Sequence, residues 1–167
     1  LVGRSEWTAH WRMVEAASWH VTALFVGAWP EDRVPELLRL IQREAAMRAP
    51  IQLEQGILCS VPEARPRMRW IRFDPHPGLT GLHHDLAVHL NLSPSPFDPF
   101  LPHVTLARSR AGSRSAVGDE GALWLPSLML RGLSLYRSDP GPSGNVHRPL
   151  ATWPFTGTDP AAPGAAV

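Results

Sequence analysis

Two stretches decide how this chain folds: Trp19-His20-Val21-Thr22-Ala23-Leu24-Phe25-Val26-Gly27 and Pro102-His103-Val104-Thr105-Leu106-Ala107-Arg108. Both carry the tripeptide His-Val-Thr inside a short run rich in Val, Leu, Thr and Phe. Each run is bounded by turn-forming or charged residues, so each is predicted as a strand. Side chains alternate along a strand, so His and Thr of each copy project to one face and the central Val to the other. Eight His and seven Thr in 167 residues would give about 0.3 His-x-Thr matches by chance. Two copies with the same middle residue in the same context therefore point to a shared purpose.

Outward from the first copy, Gly27-Ala28-Trp29-Pro30 predicts a turn and Glu31 to Arg48 a helix. Val34, Leu37, Leu38, Ile41 and Ala45 share one helix face, acids crowd the first turn, and Pro50 stops it. Ile51 to Val61 alternates as a half-buried strand, and Arg67 to Phe73 as another, joined by a hairpin through Pro62 to Pro66. Leu82, Leu86 and Leu90 at four-residue spacing predict a second amphipathic helix over Leu79 to Leu92. Ser93-Pro94-Ser95-Pro96-Phe97-Asp98-Pro99 forbids regular structure. Beyond the second copy, strands fit Leu123 to Leu125, Leu128 to Arg137 and His147 to Phe155, with a Gly/Pro turn at 139–145. Residues 157–167 read as a disordered tail after a single domain over 1–156. Strands linked at hairpin length favour an α+β fold of antiparallel sheets with outer helices over a doubly wound parallel sheet.

Composition excludes several classes. The chain carries 16 Lys plus Arg, 15 Asp plus Glu and a net charge of +1, which rules out a strongly cationic nucleic-acid coat. Every basic side chain but histidine is arginine, and seven of them stand against three acids between Ala64 and Ser115. Arginine's planar fork suits phosphate better than a point charge does. No apolar run approaches a membrane span and the start has no signal-peptide layout, so a cytoplasmic protein is expected. Lone Cys59 suggests neither a disulfide nor a zinc site.

Two imidazoles and two hydroxyls facing one cleft suit the opening of a cyclic phosphate. Water must lose a proton on one side of phosphorus while the leaving oxygen gains one on the opposite side, in line. Imidazole's unperturbed pKa of about 6.5 fits both tasks at neutral pH. Thr22 and Thr105 would donate to the non-bridging oxygens as charge builds there. No metal and no cofactor are needed.

The two motif stretches, with Leu135-Tyr136-Arg137-Ser138 and its turn leading to Pro149-Leu150, resemble the two-histidine phosphoesterases. Within that superfamily they are most similar to the RNA 2′,3′-cyclic phosphodiesterases, the LigT-like 2′-5′ RNA ligases. The resemblance runs from about Ala17 to Phe155. It implies two pseudo-symmetric lobes of antiparallel sheet backed by helices, with both His-x-Thr strands lining a central cleft. It implies that His20 protonates the departing 3′-oxygen, that His103 activates water, and that Thr22, Thr105 and Arg108 hold the phosphate. The substrate implied is RNA with a 2′,3′-cyclic phosphate end, such as a tRNA fragment, acted on by a monomer. The product is a 2′-phosphate, and the reverse reaction would join ends through a 2′-5′ bond. Ala23 stands where the family has Leu. The family also begins with a strand and a helix for which the residues ahead of Trp19 leave too little room, so an upstream segment is expected to be missing.

Other residues admit duller roles. Arg65, Arg67, Arg69 and Trp70 make a basic and aromatic strip suited to tracking an RNA backbone. A charged edge strand has the same signature. Trp19 and Trp70 are expected in the core, and Trp29 at the border of the cleft. His83, His84, Asp85 and His89 invite a metal reading but lack a third ligand at helical spacing, so a solvated helix is expected there. His10, His76 and His147 read as surface groups. Three rival functions share parts of this pattern: a phosphodiesterase for another cyclic nucleotide or a 2′-5′ oligoadenylate, an RNA-binding module without turnover, and a metal-dependent hydrolase.

Overall fold

The computed structural model describes residues 10–92, 100–110, 124–141 and 146–158. Among the described residues nine strands and two α-helices follow one another: β1 (Trp11–Met13), α1 (Val34–Ala46), β2 (Ile51–Leu53), β3 (Gly56–Val61), β4 (Met68–Arg72), α2 (Pro77–His89), β5 (His103–Ser109), β6 (Trp124–Leu125), β7 (Leu128–Leu130), β8 (Gly132–Asp139) and β9 (Val146–Pro154). The expected α+β character, with antiparallel sheets and two helices, is present. The proline-rich loop 93–99, the turn residues 142–145 and the tail from 159 onward lie outside the described residues. Gly157, where the tail was expected to begin, donates its N–H to the Arg48 carbonyl at 2.9 Å.

Contacts divide the chain into two compact units that interleave in sequence. The first draws on residues 1–23, 53–76 and 95–128. Its five-stranded sheet has the order β1-β5-β4-β3-β6, antiparallel at every step. Leu58, Ser60, Arg69, Ile71, Val104, Ala107 and Trp11 are buried on one face. The predicted strand over Ile51–Val61 is broken at Glu54-Gln55, and β2 pairs with β7 instead of extending β3. Gly56, just after the break, lies so close to β4 that a Cβ would run into Ile71 Cγ2 and the Phe73 ring. The bend needs glycine for want of space.

The second unit draws on residues 24–52, 77–94 and 129–167. Here α1 packs on the β8–β9 hairpin and on α2. Pro35 and Glu36 start α1 after a 3₁₀ turn at Glu31–Arg33, and Leu37, Ile41 and Ala45 are buried as the periodicity predicts. Leu79, Leu82 and Leu86 do the same for α2. Glu44 is the exception: its side chain is fully buried, yet it meets Arg48 at 3.3 Å and His89 Nδ1 at 3.1 Å. Arg48 also bridges to Asp85, so these charges tie α1 to α2. His89 and Asp85 thus belong to an ion cluster around Glu44 and Arg48, where the sequence led to a solvated helix face.

One expected strand is not formed. Over Trp19–Val26 no strand runs, and Val21 makes an isolated antiparallel bridge with Val104. Ahead of it the chain turns through a short 3₁₀ segment, Ala16–Ser18. Beyond it, the register sets Ala23 opposite Pro102, which has no N–H to give to a ladder. Phe25 is accordingly 75% exposed and Trp19 47% exposed. Trp19 is not the core residue the sequence suggested; its indole N–H donates to the Val14 carbonyl at 3.0 Å.

Candidate active site

Both His-Val-Thr copies belong to the first unit, rather than one to each half of the molecule. The Val21–Val104 bridge is what joins them. Directly opposed residues of an antiparallel pair point to the same side, so both valines face the buried side, where Val104 is 4% exposed. His20, Thr22, His103 and Thr105 then share the other face. By the register of the bridge His20 lies across from Thr105 and Thr22 across from His103, and the charge of His20 is felt at His103.

The imidazoles are held alike. His20 Nδ1 and His103 Nδ1 each lie 2.8 Å from the carbonyl oxygen two residues back, Ser18 and Leu101 respectively. A carbonyl only accepts, so Nδ1 is the donor in both rings. His20 is exposed and His103 half-buried. Burial lowers the pKa of His103; the Leu101 carbonyl opposes that shift, and the charge of His20 adds to it. Against the other side of the His103 ring lies Trp70, stacked with centroids 3.7 Å apart and planes 16° from parallel. The sequence placed Trp70 in the core. It lies instead half-buried on the motif face, opposite Thr105.

Arg108 reaches this face through an irregularity. On a regular strand a residue five after His103 would point away from it. Between β4 and β5 the register slips: Trp70 opposes Thr105, whereas Arg69 opposes Ala107, so Leu106 is the extra residue of a bulge. Alternation inverts there, and Arg108, opposite Met68, rejoins the face of His103, Thr105 and Trp70. Its Nη1 lies 3.5 Å from Met68 Sδ. Arg72, opposite His103 on β4, shares the face and was missed from sequence, although the alternation Met68, Trp70, Arg72 contained the signal.

The proposed RNA strip does not survive as a unit. Arg69 is 3% exposed, with its guanidinium 5.1 Å above the Trp11 ring on the buried face, so it is withdrawn as an RNA contact. Arg65 and Arg67 precede β4 and are exposed. Strand alternation therefore ties Arg69 to buried Ile71 and not to them. Trp29 belongs to the second unit, where Arg33 lies over its ring at 5.1 Å. Among the described residues no three His, Cys, Asp or Glu side chains converge as metal ligands, and no helix is long and apolar enough to cross a membrane. An open depression of about 460 Å³ lined by Glu54, Gln55, Asp74, Pro126 and Ser127 carries two carboxylates and none of the motif residues, a poor match for phosphate.

Comparison with known proteins gives a consistent answer. A family model described as the 2′-5′ RNA ligase superfamily matches residues 7–122. A Thermus thermophilus protein named RNA 2′,3′-cyclic phosphodiesterase is 28% identical over 155 residues, covering 88% of this chain and 77% of the relative. A crystal structure of a Thermus thermophilus protein superposes with a TM-score of 0.75 at 26% identity, covering 89% of this chain and 84% of that one. The fold is also that of E. coli LigT complexed with 3′-AMP, with a TM-score of 0.63 at 24% identity over 87% of this chain and 80% of the other. With a family model matching residues 7–122, more than half of its length, this chain belongs to the 2′-5′ RNA ligase superfamily.

Proposed function

We propose that this enzyme hydrolyses RNA 2′,3′-cyclic phosphate ends to 2′-phosphates, with His20 and His103 as acid and base. The observation that supports the proposal is the pairing of Val21 with Val104, whose antiparallel register sets His20 across from Thr105 and Thr22 across from His103. The Thermus thermophilus relative's name supplies the substrate class. His103 suits the base. Its lowered pKa keeps it neutral at physiological pH, and its Nδ1 bond to Leu101 leaves the Nε2 lone pair to take a proton from water. Hydroxide then bonds to phosphorus, the P–O3′ bond breaks, and His20 gives its Nε2 proton to the departing 3′-oxygen. Thr22, Thr105 and Arg108 hold the non-bridging oxygens, where hydrogen bonds strengthen as charge gathers. With a 5′-hydroxyl in place of water as the nucleophile, the same steps join two ends: the 5′-oxygen bonds to phosphorus, the P–O3′ bond breaks with its oxygen protonated, and a 2′-5′ phosphodiester results. The two histidines supply both proton transfers, so the reaction proceeds without a metal.

The test is turnover of an oligonucleotide ending in a 2′,3′-cyclic phosphate. His20→Ala and His103→Ala should each lower the rate by about 10²–10⁴-fold while binding is kept. The intact enzyme should give a bell-shaped pH profile, a 2′-phosphate product and undiminished activity in a chelator. A 3′-phosphate product, full activity in either variant, or loss of activity with chelation would refute the proposal. Cleavage confined to linear 2′-5′ oligoadenylate would move the substrate assignment there.

A further inference from the structure

Besides Arg108 and Arg72, a further arginine shares the motif face, and the chemistry above leaves it unused. Arg12 on β1 lies directly opposite Arg108 on β5. Opposed residues of an antiparallel pair share a side, with Cβ atoms about 4.5–5.5 Å apart. Arg12 therefore projects onto the face of His103, Thr105 and Arg108. Both guanidiniums are exposed, and no carboxylate among the described residues forms an ion pair with either. Like charges directly opposed across strands repel. A charge placed only to blunt the sheet edge would avoid that position, whereas anions bound at the two arginines remove the cost.

The spacing identifies the anion. The Arg12–Arg108–Met68 row is two residues along β4 from the row of Trp70 and Thr105, or about 7 Å at the strand rise. Arg12 is one strand farther out than Arg108, on the sheet edge, so it lies beyond the group that Arg108 holds. An RNA end with its cyclic phosphate between the histidines has one further anion nearby, the phosphodiester linking the terminal nucleotide to the rest of the chain. We infer that Arg12 binds this flanking phosphodiester, which makes the enzyme selective for oligonucleotide ends over free nucleoside 2′,3′-cyclic phosphates. The inference rests on the function proposed above.

Adenosine 2′,3′-cyclic phosphate and the dinucleotide ApA ending in a 2′,3′-cyclic phosphate test it, each assayed with the intact enzyme and with Arg12→Gln. A folding defect cancels in the ratio of the two kcat/KM values. The intact enzyme should favour the dinucleotide, and Arg12→Gln should cut that ratio about tenfold, chiefly through KM, while flattening its salt dependence by about one phosphate contact. A dinucleotide with an uncharged methylphosphonate linkage should lose the same advantage on the intact enzyme. An unchanged ratio in Arg12→Gln, or full preference for the methylphosphonate, overturns the inference while leaving the cyclic phosphodiesterase standing. Failure of the intact enzyme to cleave either substrate overturns both.

Discussion

Removing the Trp70 ring tests the wall behind His103. The two rings stack at 3.7 Å with planes 16° apart, and such pairs contribute about 0.5–1.5 kcal/mol beyond the area they bury. A double-mutant cycle of Trp70→Leu and His103→Ala, measured by urea unfolding at pH 8 where the imidazole is neutral, should return a coupling energy of that size. Burial is the main cause of the lowered pKa of His103, so Trp70→Leu should also raise that pKa towards the ordinary imidazole range. A base must be deprotonated to act, so the acid limb of the pH–rate profile should move to higher pH in Trp70→Leu. The sign for stability follows from the same shift. The unfolded chain binds this proton more readily than the folded one, so the contribution is complete above the ordinary imidazole value and is lost as pH falls through the lowered one. A coupling energy under about 0.3 kcal/mol, within the scatter of independent sites, together with an unmoved acid limb, would refute the reasoning.

Three further outcomes are expected. Arg108→Ala should lower kcat/KM on a cyclic-phosphate oligonucleotide by about 10–100-fold, the value of one charge-assisted hydrogen bond of about 1.5–3 kcal/mol; steady-state kinetics showing less than a twofold loss would remove Arg108 from the phosphate. Arg48→Met removes the arginine partner of the fully buried Glu44 carboxylate and leaves it to His89, and should cost about 3 kcal/mol. That is roughly 6–12 °C in Tm by calorimetry, and most of it should return in the double variant with Glu44→Leu. Gly56→Ala drives a methyl group into Ile71 and Phe73, and should cost about 1–3 kcal/mol in denaturant unfolding with the m-value unchanged.

Much of this fold was legible because periodicity reports burial. The helices over Val34–Ala46 and Pro77–His89 bury the residues their spacing selects, whereas the break at Glu54-Gln55 inverts the alternation expected from Ile51 to Val61: Leu58 and Ser60 are buried in β3, and Ile57, Cys59 and Val61 lie on the other face. What spacing misses is set by a partner strand. Trp19–Val26 has the composition of a strand, but its only neighbour in the sheet runs out at Pro102, so one bridge forms and Phe25 stays in solvent. Arg65, Arg67 and Arg69 look equivalent by alternation, yet β4 begins only at Met68, so only Arg69 is bound to the buried face. Glu44 sits on the apolar stripe of α1 because Arg48 and His89 wait there, and neither partner can be inferred from a helical wheel.

The site shows the same division. Both His-Val-Thr copies announce themselves, but nothing in either copy says that the valines pair with each other. That pairing gives the middle residue a job: two β-branched side chains, directly opposed, fill the buried side of the sheet so that the four polar groups have only the other side to occupy. Arg108 makes the complementary point. Counted from His103 it falls on the wrong face, and only the extra residue at Leu106 turns it back. Leu106 and Ala107 are themselves buried, so the bulge is packed in place rather than frayed, and the guanidinium is aimed by the core beneath it. A phosphate-binding arginine at an odd spacing from its histidine is therefore a statement about strand register. Any variant that removes the bulge while keeping Arg108 should lose the arginine's contribution as completely as Arg108→Ala does.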